Sequence, residues 1–168
     1  EIVCEDNCDY TINLNLSAED SFCVGSDNGT AWTNLNGAFA PYTWEWSNGE
    51  TSSSIDNLAP GTYSCTVTDV NGCSETSSIT VYEPQYIEVN IYINYDDSSL
   101  MAEPSGGVPP YFYQWYDPNY NIMYTSDPFI EVNQGGMYIV LVLDSNGCET
   151  SETVDYQLVS ISELSNHK

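Results

Sequence analysis

The chain has 168 residues, with 25 Asp or Glu against one Lys and no Arg, for a formal net charge of −24. Nothing in it neutralises phosphates, which excludes nucleic acid as a partner and argues against an electrostatic grip on anionic membranes. Hydrophobic residues make up 41%, with 14 Tyr and 4 Trp, too rich for a disordered acidic tail, so the charge belongs to the surface of a folded object.

In chain order, residues 1–9 form an acidic, unpatterned run holding Cys4 and Cys8, read as a linker or the end of an upstream module. Tyr10 to Leu16 alternates as a first strand, with Tyr10, Ile12, Leu14 and Leu16 inward. Ser17 to Gly29 reads as turn, with Cys23 inside it, and Thr30 to Leu35 as a short second strand. Gly37 to Pro41 introduces a strand over Tyr42 to Ser47, where Tyr42, Trp44 and Trp46 share the inward face. After Ile55 to Leu58, the run Gly61 to Cys73 reads as a buried strand entering a tight turn, and its Asn-Gly pair supplies the positive φ that a hairpin needs. Glu75 to Tyr82 is the last strand, and Glu83-Pro84 marks a boundary.

That run recurs. Gly136 to Cys148 repeats Gly, Tyr, Val, Asp, Asn, Gly and Cys in step with Gly61 to Cys73. Tyr63 and Tyr138, Cys65 and Val140, and Val67 and Val142 fall on the core face in both copies. Tyr86 to Asn94 alternates over nine residues with Ile87, Val89, Ile91 and Ile93 inward. Gly106 to Pro110 answers Gly37 to Pro41, and Tyr111 to Tyr116 answers Tyr42 to Ser47. The second copy carries six extra residues between its Trp115 and Gly136, within Asp117 to Gln134. No stretch shows a helical period. The expected fold is all-β, two tandem Ig-like or PKD-like β-sandwiches at 10–84 and 85–158, followed by a C-terminal linker at 159–168. The expected core aromatics are Tyr42, Trp44, Trp46 and Tyr63 in the first module and Tyr111, Tyr113, Trp115 and Tyr138 in the second.

The segments Pro41-Tyr-Thr-Trp-Glu-Trp-Ser-Asn-Gly-Glu-Thr51, Ile55-Asp-Asn-Leu-Ala-Pro-Gly-Thr-Tyr63 and Val67-Thr-Asp-Val-Asn-Gly-Cys73 resemble the SprB-type repeat of Bacteroidetes surface proteins. The resemblance spans about Tyr10 to Pro84. The second module keeps Pro110-Tyr111, Trp115 and Asp144 to Cys148, but lacks the early cysteine. The resemblance implies an Ig-like or PKD-like sandwich of a gliding-motility or surface adhesin, exported by the type IX route.

Six cysteines (Cys4, Cys8, Cys23, Cys65, Cys73 and Cys148) without a metal-binding spacing favour disulfides formed in an oxidising compartment, secreted or at the cell surface. Tyr63-Ser64-Cys65 has the spacing of a tyrosine corner, so Cys65 could meet Cys23 across the sheets. In a tandem of such modules Cys23 could instead join Cys148, with Cys73 pairing back to Cys4 or Cys8. A Cys23 to Cys73 bridge is the family-based rival.

Asp27, Asp69, Asp96, Asp97 and Asp144 sit in expected turns or strand ends and are candidate calcium ligands, since hard cations take oxygen donors. Turn chemistry alone also explains such residues. Of the run Tyr111, Phe112, Tyr113, Trp115, Tyr116, Tyr120 and Tyr124, the outward members Phe112, Tyr116 and Tyr120 could stack on a sugar or pack against a neighbour. Catalysis has little to stand on, because His167 is the only histidine and triads or histidine-ligated zinc are therefore unavailable. No catalytic residue is expected.

No apolar run reaches the length of a membrane span, and the chain is expected to be part of a longer or processed protein at the cell surface or outer membrane. The expected role is structural and adhesive, a stalk of modules contacting neighbouring modules and surface polysaccharide. The alternatives are the non-catalytic C-terminal spacer of a type IX-secreted hydrolase and a subunit of an extracellular filament.

Overall fold

The computed structural model describes residues 8–123 and 126–158. Cys4, Tyr124, His167 and the 159–168 linker lie outside them. The chain divides after Pro84 into two compact units, and every regular element described is a β-strand. The first unit holds β1 (Asn13–Glu19), β2 (Gly29–Asn36), β3 (Thr43–Trp46), β4 (Ser54–Leu58), β5 (Gly61–Thr68) and β6 (Ser74–Val81). The second holds β7 (Glu88–Asn94), β8 (Ser99–Ser105), β9 (Phe112–Tyr116), β10 (Ile122–Met123), β11 (Phe129–Glu131), β12 (Gly136–Leu143) and β13 (Glu149–Tyr156).

Each unit stacks two antiparallel sheets. In the first the sheets run β1-β2-β4 and β3-β5-β6; in the second, β7-β8-β11 and β10-β9-β12-β13. Period-two alternation sends one row of side chains from each sheet into the space between them. In the first unit Leu14, Ala31, Ile55 and Leu58 of one sheet meet Trp46, Cys65, Val67 and Val81 of the other. The second unit repeats the plan with Leu100, Ala102 and Ile130 against Trp115, Tyr138, Val140 and Val142. Tyr42, Trp44 and Tyr63 pack against the first core, and Tyr111 and Tyr113 against the second. Each sandwich therefore centres on one tryptophan, Trp46 or Trp115, on the strand that pairs with the repeated run, opposite Cys65 or Val140 in register.

β1 starts later and ends later than the alternation suggests. Ile12 and Leu14 are buried, but the strand continues through Ser17 to Glu19, which pair with Trp32, Ala31 and Thr30. Its end is tied to that of β6 by Ser21 N–H donating to the Tyr82 carbonyl (2.9 Å) and Tyr82 N–H to Asp20 Oδ1 (2.9 Å). Tyr10 leaves the core face and turns toward the end of the sandwich. The extra residues of the second unit build β10, which pairs with β9 through Ile122 to Tyr116 and Met123 to Trp115. Asp117 forms that turn: its Oδ1 accepts the N–H groups of Asn119 and Asn121, both at 2.8 Å. The Asn121 amide and these N–H groups hold its carboxyl below the usual range, against a smaller upward push from burial.

Both units carry a tyrosine corner. The Tyr63 hydroxyl donates to the Ala59 carbonyl (2.8 Å) and the Tyr138 hydroxyl to the Gln134 carbonyl (3.0 Å), four residues upstream in each case. This pins the entry of β5 and β12 and leaves Cys65 and Val140, two residues on, fully buried.

Candidate functional site

The feature that recurs most fully is the hairpin after β5 and β12, where a buried carboxylate gathers backbone N–H groups. Asp69 Oδ1 accepts from Asn71 N–H (2.9 Å) and Cys73 N–H (3.1 Å), and its Oδ2 accepts from Phe39 N–H (3.2 Å). Asp144 does the same with Asn146 (2.9 Å) and Cys148 (3.0 Å) on Oδ1 and Val108 (2.9 Å) on Oδ2. The Phe39 carbonyl returns a bond from Val70 N–H (3.3 Å), and that of Val108 one from Ser145 N–H (2.9 Å). One acid thus fastens the final hairpin to the loop before β3 or β9. Only the glycine of the Asn-Gly pair has positive φ (83° at Gly72, 81° at Gly147), so the turn is a three-residue loop ending in a left-handed glycine.

In the first unit this latch carries a second layer from the N-terminal side. The Tyr10 hydroxyl donates to Asp69 Oδ2 and accepts from the Asn71 side-chain amide (3.2 Å). The Tyr10 ring meets Phe39 edge-on at 4.9 Å, and Cys8 is bonded to Cys73 with their Cα atoms 5.7 Å apart. Burial pushes the Asp69 carboxyl up, but the bonds from Tyr10 and from the N–H groups of Phe39, Asn71 and Cys73 outweigh it and hold the carboxyl below its ordinary value. Burial and the facing Asp69 push the Tyr10 phenol up.

The cysteines need correction against the sequence. Cys65 is a free, buried thiol, so a Cys23 to Cys65 bridge does not form; its side chain fills the place that Val140 fills in the second unit. Cys73 is spent on Cys8, which removes the Cys23 to Cys73 pairing as well. Cys23 and Cys148 are each disulfide-bonded.

The calcium candidates are not brought together: among the described residues no three His, Cys, Asp or Glu converge to hold an ion. Asp69 and Asp144 each accept three backbone N–H groups, so turn and loop hydrogen bonding accounts for their placement. Asp27, Asp96 and Asp97 are exposed, the last two in the turn between β7 and β8, and Asp97 accepts from the Ser99 hydroxyl (2.6 Å). Of the aromatic candidates, Phe112 and Tyr116 share the outer face of β9, whereas Tyr120 stands in the turn between β9 and β10 with φ of 62°. The three do not share one strand face. No helix among the described residues is long and apolar enough to cross a membrane.

The SprB repeat matches residues 15–51 and 96–119. No curated protein matches the chain. Among solved structures it is similar to the N-terminal four Ig domains of Dscam1 isoform 9.44, at 12% identity over 82% of this chain and 42% of that one, TM-score 0.38. It is similar to the C-terminal 282-residue fragment of intimin, at 11% identity over 86% and 63%, TM-score 0.42, and to murine CEACAM1b, at 12% identity over 86% and 100%, TM-score 0.34. The chain spans less than half of the Dscam1 chain and less than two thirds of the intimin fragment. A SprB-repeat match therefore falls in each of the two sandwich units.

Proposed function

We propose that the chain is an extracellular structural and adhesive segment, two sandwich modules of a stalk that contacts neighbouring modules and surface polysaccharide. The observation that carries this reading is the SprB-repeat match falling once in each unit of a duplicated fold. Export by the type IX route, attachment to the outer membrane and a part in gliding belong to the same proposal and derive from the sequence resemblance. The chemistry agrees: the acids that recur in both units fasten loops instead of facing a cavity, and the Cys8 to Cys73 bond suits an oxidising compartment.

Antibody raised against the chain should label intact cells of the source organism, and beads coated with the chain should adhere to surface polysaccharide from those cells. Labelling only after permeabilisation would overturn the extracellular placement. Beads that adhere no better than albumin-coated ones would remove the adhesive half and leave the stalk.

A further inference from the structure

In a strand of period two, the residues that do not enter the core stand on the outer face of the sheet. On β5 these are Thr62, Ser64, Thr66 and Thr68, paired with Thr80, Ser78, Thr76 and Ser74 of β6. The face is a hydroxyl ladder, with Thr62 and Thr80 bonded at 3.0 Å and Thr66 and Thr76 at 2.8 Å. The same four positions of β12 are Met137, Ile139, Leu141 and Leu143. Beside them β9 sets Tyr116, Gln114 and Phe112 against Ile139, Leu141 and Leu143, and β10 adds Ile122. Phe112, Met137 and Ile122 are 57%, 51% and 47% exposed.

The core does not require this face, because the opposite row of β12, Tyr138, Val140 and Val142, fills it. The first unit shows that the same fold accepts hydroxyls there. Ile139, Leu141 and Leu143 are half-buried between these exposed side chains. An apolar patch of this kind marks an interaction surface, and it contains no carboxylate although 25 of the chain's residues are acids. Two carboxylates mark the ends of one border instead: on β13, Glu149 pairs with Leu143 and Asp155 with Met137, with Ser151 and Thr153 between them, about 20 Å apart along the strand. A second copy would bring the same acidic border and a charge of −24, with one Lys to offset it.

We propose that the outer face of β10-β9-β12-β13 docks a protein whose apolar surface is bordered by Lys or Arg. Apolar contact supplies affinity at the centre of such an interface, and the charged border selects the partner. This surface stands apart from the adhesive reading, since failure of polysaccharide binding would leave it untouched.

The probe is a synthetic strand peptide with alternating Leu and Thr and Lys at both ends, titrated calorimetrically into the whole chain at physiological salt. The native chain should bind one peptide. The variant M137T/I139S/L141T/L143T, which gives β12 the residues of β5, should bind roughly tenfold or more weakly, and the single variant L141T should show a smaller loss should the quadruple variant fail to fold. The graft T62M/S64I/T66L/T68L should raise the stoichiometry to two. Equal affinity for the native chain, L141T and a folded quadruple variant would reduce the binding to charge alone and overturn the proposal, as would an unchanged stoichiometry in the graft. A concentration-dependent dimer of the native chain that L141T weakens would assign the face to a second copy and overturn it too.

Discussion

Cys65 and Asp69 lie four residues apart, one a thiol that avoids oxidation and the other an acid that avoids solvent. Cys65 is fully buried, and burial pushes its thiol up despite a weaker opposing bond from the Glu45 backbone; a protonated, inaccessible thiol is a poor nucleophile. Alkylation of the native chain should leave Cys65 unmodified, and denaturation without reductant should expose it, as read by peptide mass. Cys65→Val should fold with a stability change below about 1.5 kcal/mol, because the second unit already places Val140 there. For Asp69 the sign follows from its depressed native value. Its contribution is complete above the unfolded carboxyl value of about 3.9 and is lost as pH falls through the lower native value. Thermal melts taken from pH 5 down to pH 2 should therefore show progressive loss of stability, and Asp69→Asn should flatten that loss while lowering the melting point at pH 7.

At the scale of elements, the loop before β3 or β9 depends on a glycine that no other residue replaces. Gly37 has φ of 85° and Gly106 of 73°, and a Cβ built there would meet the Thr11 carbonyl oxygen at 2.3 Å or the Tyr86 carbonyl oxygen at 2.0 Å. Gly106→Ala should cost about 1–3 kcal/mol from backbone strain alone, with the clash added. A loss of thermal stability confined to the second unit, followed by calorimetry, checks it.

The strands that alternate cleanly were legible in the sequence, and so was the duplication, because Trp46 with Gly61 to Cys73 and Trp115 with Gly136 to Cys148 repeat in order. β8 was not, since Pro104, Ala102 and the flanking serines dilute its alternation. β10 and β11, of two and three residues, exist only because a neighbouring strand offers bonds. Asp69 and Asp144 were legible as turn residues. Their latch was not, because its other half, Phe39 or Val108, comes from a loop distant in sequence. The outer row of β12 was hidden for another reason: a run apolar on both faces reads as a strand buried on both sides.

At the scale of the whole molecule, the charge finds no Lys or Arg to offset it among the described residues, so screening can remove repulsion but has no Lys or Arg ion pair to weaken. Raising ionic strength from low to moderate should therefore raise the melting temperature, and a flat or falling curve would contradict a structure limited by self-repulsion. The Cys8 to Cys73 bond spans a separation of 65 residues and so sets how the first unit yields to tension. A force applied along the chain passes through the covalent link and bypasses nearly the whole sandwich. While the bond is oxidised the residues between the two cysteines carry little load, and reduction of all the disulfides should release them as roughly 220 Å of contour length. In a pulling experiment the first unit should behave as a nearly inextensible link while oxidised and as a long reserve of slack once the disulfides, those at Cys23 and Cys148 included, are reduced.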